Sequence, residues 1–337
     1  MAKSIYNAIN TYAIYAEDTA WGTPGTPSAS AYLDKVTSIS LALENNTIKS
    51  QGIGDGRNAT TAMNGAFGIT GNASWELTDP AFLQYCFIGA VTGAGNAETP
   101  YIITEAEGLG YASGQVNTLT IEVGKDSGSN DDTLTANGMV VDDFEITGAV
   151  NDVVKVTANF TGRSVASATT VETYAGPANR PFTFVDASVS VGSDTVAEVT
   201  AFSIRCNNNI QKSNAFNSRF LSLPLAGKRE YEFSMTMKLH YDNTSSILSG
   251  LEARGLFFNG STGTAPEPTS DMPAVAVSLD LVEGAGDDDR VVNFDFENCY
   301  FTSYSEPVEL DNGYVEIEIS GVALAGVSNI PCTWWTI

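Results

Sequence analysis

The chain has 337 residues and a formal charge of −24, from 16 basic and 40 acidic side chains, with a single histidine. A chain of that length can bury one large or two ordinary cores, and its abundance of Gly, Thr, Ser, Asn and Val over helix-favouring patterns points to a β-rich fold with many turns. So acidic a surface repels polyphosphate and excludes a groove that grips nucleic acid, though not a duct through which DNA slides without sticking.

An excess of carboxylates also suits proteins that work in high salt, so a halophilic setting stays open. The opening MAKSIYNAINTY has no basic region followed by an apolar run, and no stretch of about twenty apolar residues occurs anywhere. A protein made in the cytoplasm, with no membrane span, is expected. Cys86, Cys206, Cys299 and Cys332 form no CxxC pair and sit beside apolar neighbours, so they are expected to be buried free thiols.

Taken in chain order, residues 1–30 contain YAEDTAWGTPGTPS and read as an extended arm rich in turn residues. Val36 to Ser50, VTSISLALENNTIKS, alternates apolar and polar residues as a strand does. A long loop follows over 51–64, then a second alternating strand over Ile69 to Leu77. Asp79-Pro80 supplies an N-cap and a proline at the first helical position for a short helix in AFLQYCFIGA. Further strands are expected at LTIEV (Leu119 to Val123), in the run holding Phe144 and Ile146, and at VKVTANFTG (Val154 to Gly162). The first strand pair is joined through the acidic turn GKDSGSNDD.

The pattern then repeats. Val199 to Ser213, VTAFSIRCNNNIQKS, aligns without a gap with Val36 to Ser50, and seven of fifteen positions are identical (Val, Thr, Ser, Asn, Asn, Lys, Ser). Tyr231 to Leu239 answers Ile69 to Leu77, and Asn243, Thr244 and Ser245 precede ILSGLEARG as a second short helix closed by Gly255. VSLDL (Val277 to Leu281) is matched with LTIEV, EGAGDDD with the acidic turn, and YVEIEISG (Tyr314 to Gly321) with VKVTANFTG. The expected organisation is an arm at 1–30, one copy at 31–165, a linker at 166–184 with Pro177 and Pro181, and a second copy from 185 to the end of the chain at 337. The arm has no counterpart in the second copy on this reading.

Alternation assigns faces. Ile39, Leu41, Leu43, Trp75, Leu77, Phe144 and Ile146 are expected to be buried. Glu44, Glu76, Asp143 and Glu145 fall on the wet face of the first copy, with Lys155. Glu230, Glu232, Asp295, Glu297, Glu316 and Glu318 do so in the second, with Arg205 and Lys238. An ordinary solvated sheet face and the wall of an acidic channel both fit this pattern. A single sheet needs its apolar face covered and its edges paired, and edge-to-edge association into a closed barrel is one solution.

Enzymatic constellations are missing. His240 has no metal-motif or catalytic-serine context, and GIGDG (Gly52 to Gly56) lacks the lysine and following helix of a phosphate loop. Asp287 to Asp289, and Asp131 with Asp132, lack calcium-loop spacing and read as solvated turns. No catalytic, cofactor or metal residue is assigned.

The arm YAIYAEDTAWGTPGTPS, with its E-x-x-(x)-G-T-like opening, precedes a polar-alternating strand, the long loop IKSQGIGDGRNATTAMNG, a second long strand and a short helix. In that order the chain resembles the tail tube (major tail) proteins of long-tailed phages and related archaeal viruses. The resemblance implies a mainly β fold of two tandem tail-tube-like β-sandwich/barrel domains, each with one short α-helix, joining neighbours into a ring-forming β-barrel. It implies a structural virion protein of the tail, assembled in the host cytoplasm. Six single-domain subunits usually form a ring, so a duplicated chain implies homotrimer rings of pseudo-sixfold symmetry, stacked helically. The carboxylates named above would line the channel. Ile53, Asp55, Arg57, Asn58, Phe216 and Arg219, in loops 51–64 and 214–227, would stack the rings together with the arm. Implied partners are other copies of the chain, a tape-measure protein and DNA in the lumen, and tail terminator and baseplate or tip proteins at the ends. The competing readings are a capsid decoration protein, a pilus-like subunit or a surface-layer module. A secreted carbohydrate-binding or hydrolytic sandwich is a further class, which a signal peptide or an exposed aromatic platform would favour.

Overall fold

The computed structural model describes residues 8–54, 56–105, 116–127, 131–172, 174, 176–192, 194–196, 198–238, 247–248, 274–284, 290–308, 315–324 and 331–336. The first half of the chain supplies β1 (Thr11–Glu17), β2 (Lys35–Ser50), β3 (Thr61–Glu76), β4 (Gly89–Thr92), β5 (Tyr101–Glu105), β6 (Leu119–Lys125), β7 (Asp132–Ala149), β8 (Lys155–Gly162) and β9 (Ser164–Ala168). The second supplies β10 (Ala187–Val191), β11 (Asp194–Val196), β12 (Val199–Asn207), β13 (Glu230–Lys238), β14 (Ile247–Leu248), β15 (Val275–Glu283), β16 (Arg290–Ser305), β17 (Glu316–Leu324) and β18 (Cys332–Thr336). They join in one large sheet, antiparallel except for β11 beside β14.

Eight strands run side by side in the order β2-β3-β8-β7-β12-β13-β17-β16. The long strands β7 and β16 then bend away. The first part of β7 pairs with β6 and β9, and β6 with β1. The first part of β16 pairs with β15 and β18, and β15 with β10. β7 turns at Gly138, whose φ of +66° favours glycine and where a Cβ would lie 2.7 Å from the Arg163 Cβ.

Most ladders of the first half recur among the described ladders of the second, and three of their irregularities recur with them. β2–β3 and β12–β13 each carry a bulge, after Val36↔Trp75 and after Val199↔Met237. At both, the threonine in the bulge donates its hydroxyl across the strands: Thr37 to the Ser74 carbonyl (3.0 Å) and Thr200 to the Thr236 carbonyl (3.2 Å). β7–β8 breaks between Val141 and Asp143, and β16–β17 between Phe301 and Ser303. β6–β7 breaks between Leu119 and Ile121, and β15–β16 between Val275 and Val277.

These registers correct two sequence-based matches. LTIEV corresponds to VAVSL (Val275 to Leu279), two residues before VSLDL, because Leu119 and Val275 open equivalent bulges. The match of VKVTANFTG to YVEIEISG shifts likewise, since Phe160 pairs with Gly71 where Gly321 pairs with Phe233. An alternating strand resembles itself at every two-residue slip, so identity alone could not fix either register. The arm also has a counterpart: Ala13↔Val123 and Tyr15↔Ile121 in β1–β6 match Val189↔Leu279 and Val191↔Val277 in β10–β15.

The layer above the eight strands covers their apolar face, and the core is continuous across both halves. Asp79 caps the turn Pro80–Phe82 by accepting from the Ala81 amide (2.9 Å), and the helix α1 (Leu83–Cys86) follows, as expected. Phe82 packs on Trp75 and Tyr15 at centroid distances of 5.5 and 4.9 Å. Phe87, just past α1, touches Phe144 (4.9 Å) from the first half and Tyr231 and Phe294 (each 6.3 Å) from the second. β4 pairs with β5, and β5 crosses to pair with β18. The stretch between the halves is packed rather than loose. Phe182 is fully buried and exchanges backbone bonds with Leu77 and Val154. Arg290 lies buried over its ring (4.3 Å), donating to the carbonyls of Thr78 (2.6 Å) and Arg180 (2.7 Å) and pairing with Glu283. All four cysteines are buried and free, and burial raises the Cys86 thiol well above its ordinary value.

The second expected helix is not formed at its start: Ile247–Leu248 is a short strand, because the β11 edge offers it backbone partners. Residues 249–255 lie outside the described residues, as do His240 and Asp287 to Asp289.

Candidate functional surface

The face of the eight strands away from the core is polar over most of its width, because strand alternation puts one residue in two there, and it turns more apolar at Val322, Leu324 and Tyr300 of the last two strands. One cross-strand row reads Ser38, Ser74, Thr157, Glu145, Arg205 and Glu232. The next reads Ser40, Asn72, Asn159, Asp143, Asn207 and Glu230. Hydroxyl and amide groups bind the carboxylates into these rows: Ser203 Oγ donates to Glu145 Oε1 (2.6 Å) and Asn159 Nδ2 to Asp143 Oδ1 (2.9 Å). Glu76 accepts from Lys35 Nζ (2.6 Å), Glu230 lies 3.5 Å from Lys228, and Glu316 stands opposite Lys238. Glu318 accepts from Ser305 Oγ (3.5 Å), Glu232 faces Arg205, and Glu44 is exposed opposite Gly68. Acid outnumbers base along the face even where the two pair.

The structure thus brings Glu44, Glu76, Asp143, Glu145, Glu230, Glu232, Glu316 and Glu318 onto one surface. Asp295 and Glu297 are set apart, on the part of β16 that has bent toward β15 and β18. There burial, and then the Glu297 charge, raise the Asp295 carboxyl, and burial with Asp295 raises Asp280.

The loop expected over 51–64 is shorter than that. β2 runs on to Ser50 and β3 starts at Thr61, so residues 61–64 are strand and the hairpin projects as an exposed ribbon. Ile48, Ile53 and Met63 are exposed on it, and Arg57 and Asn58 lie in its tip; Asp55 lies outside the described residues. The matching segment 214–227 does not project. Arg219 donates to the Gly65 carbonyl (3.0 Å) and to Asn45 Oδ1 (2.5 Å), its carbonyl accepts from the Phe67 amide (2.7 Å), and Phe220 packs on Phe67 (5.9 Å). Arg163 lies over both Phe220 (5.5 Å) and Trp21 of the arm (5.7 Å). Phe216 is fully exposed.

Leu43 corrects the expected burial: it is 47% exposed, because the described partner of β2 lies on one side, at β3. Its counterpart Cys206 is fully buried, because β12 has strands on both sides. Sequence reasoning passed over Asn208, which is buried and donates to the carbonyls of Cys86 (2.9 Å) and Val141 (3.1 Å) while accepting from Arg229 (3.2 Å). A run of asparagines ending a strand in NNN was the available signal.

An extended sheet with one wet, acid-rich face and an exposed hairpin defines a scaffold protein. The family described as "Phage tail tube protein" matches residues 8–297, and the chain belongs to it. It is therefore a structural, non-enzymatic component of the virion tail. No curated protein matches the chain. Among solved structures, the cryo-EM structure of the anti-feeding prophage cap (AFP tube terminating cap) is similar at 12% identity and a TM-score of 0.33, over 48% of this chain and 95% of that one.

Proposed function

We propose that the chain is a tandem duplication of one tube-building unit, and that three chains close each ring of the tail tube, with the polar eight-strand face lining the bore. The observation that carries this is the β7–β12 ladder. It joins the last strand of the set β2-β3-β8-β7 to the first strand of the set β12-β13-β17-β16. The step from one set to the next is head-to-tail, and a step of that kind can be repeated until the sheet closes. The shared bulges support equivalence of the two sets.

On this reading Glu44, Glu76, Asp143, Glu145, Glu230, Glu232, Glu316 and Glu318 face the lumen. They repel DNA phosphates, so passage meets no local binding minimum. Asp295 and Glu297 would lie nearer the rim. The hairpin tip with Ile53, Asp55, Arg57 and Asn58, and the exposed Phe216, would reach the next ring, whereas Arg219 fixes its own loop to the hairpin base. A tape-measure protein and DNA would occupy the bore, and terminator and tip proteins the two ends. Negative-stain microscopy of the purified chain tests the proposal. Hollow tubes or rings with three-chain periodicity are the expected result, and a monodisperse monomer at high concentration would overturn it.

A further inference from the structure

The junction inside the chain supplies a template for contacts between chains. In β7–β12, Asp143 pairs with Asn207, Phe144 with Cys206, Glu145 with Arg205 and Ile146 with Ile204. The matching bulges make Asp143 equivalent to Ser303, and the repeat makes Asn207 equivalent to Glu44. Resting on the tube reading above, we infer that β16 of one chain pairs antiparallel with β2 of a second copy in one defined register: Ser303 opposite Glu44, Tyr304 opposite Leu43, Ser305 opposite Ala42 and Glu306 opposite Leu41.

Three observations carry this register. The described ladder partners of β2 and of residues 300–305 of β16 lie on one side of each, at β3 and β17. Apolar side chains at these two edges are more exposed than those at the closed junction: Leu43 is 47% exposed and Val308 75%, where Cys206 and Phe144 are 0%. Pairing in this register sets Leu43 beside Tyr304 and Val308 beside Ile39, as Cys206 sits beside Phe144.

The third observation is the hydrogen-bond phase. The Val150 amide donates to the Thr200 carbonyl (2.9 Å) and the Asn208 amide to the Asp142 carbonyl (2.8 Å), so Phe144–Cys206 and Ile146–Ile204 are the bonded pairs of the template. Transferred to the new ladder, Pro307 falls opposite Ser40 at a position between bonded pairs. A proline there costs the ladder no donor. A slip by one residue would either set Pro307 in a bonded pair or turn Leu43 to the polar face, according to which strand turns over.

Disulfide trapping tests the register, since all four native cysteines are buried. Ala42 and Ser305 are both exposed and would face each other in a non-bonded pair, where Cα atoms stand about 4.5 Å apart. The double variant Ala42→Cys, Ser305→Cys should convert under mild oxidant to covalent multimers that reductant dissolves. Ser38→Cys with Ser305→Cys places the thiols four residues apart, about 13 Å along the strand, and should stay uncrosslinked. Microscopy of the reduced samples shows whether each variant assembles. Rings that cross-link through the second pair, or rings that cross-link through neither, overturn the register and leave the tube reading standing. A variant and wild-type chain that both remain monomeric overturn both.

Discussion

Two stretches with equivalent registers, 36–68 and 199–230, end in opposite ways. In the first the ladder continues past Glu44↔Gly68 for a further turn of hairpin, into exposed ribbon. In the second it stops at Asn207↔Glu230, and the following loop folds down onto the first stretch through Arg219 and Phe220. Asn208 and Asn45 are the counterparts at which they part. Asn208 is buried and bonds the carbonyls of Cys86 and Val141; Asn45 is exposed and holds Arg219. The same residue type at equivalent ladder positions either pins a strand end or tethers a loop, according to whether a neighbouring strand set covers it.

The sharpest break of this comparison is Phe144→Ala set against Tyr304→Ala. Phe144 is fully buried against Phe87, and its loss should cost about 3–5 kcal/mol. Tyr304, its counterpart at the open edge, should cost about 1 kcal/mol or less in the unassembled chain. Urea denaturation of the two variants measures the gap, and equal losses would mean that Tyr304 is covered in the unassembled chain as Phe144 is. Next in size, Asn208→Ala leaves two buried carbonyls without their donor and should cost about 1–3 kcal/mol, against about 0.5 kcal/mol for Asn45→Ala. Thermal unfolding compares them.

The smallest effect concerns the segment between the halves, where Asp186 precedes β10 as Asn10 precedes β1. Burial opposes ionisation of Asp186, but Arg180 (2.7 Å) and the amide and hydroxyl of Thr183 (2.8 Å each) outweigh it and hold its carboxyl down at about 2. A depressed folded value means this stabilisation is complete above the unfolded value of about 4 and is lost as pH falls toward 2. Asp186→Asn should flatten the stability profile between those limits, and an unchanged slope would show that the clamp contributes nothing.

Much of the fold was legible in the sequence. The alternation in VTSISLALENN and VTAFSIRCNNN marks two strands with one wet and one dry face, whereas the bulge at Thr37 and Thr200 shows only in the registers. Asp79-Pro80 marks the one turn into helix that the structure forms there. The counterpart of β1 was hidden because TYAIYAE and ASVSV share a pairing partner but no pattern of identities. The polar face was legible as a set of acids, whereas its division, with Asp295 and Glu297 bent away, was not.

Local sequence by itself determined the long alternating strands and which face of each is apolar, because both follow from the two-residue side-chain period. Only the tertiary structure decided that Leu43 is bare where Cys206 is covered, that one loop projects while its counterpart folds down, and that β5 crosses to the second half. Those outcomes depend on which strand lies alongside, and strand pairing across more than a hundred residues is settled by the packing of the whole sheet.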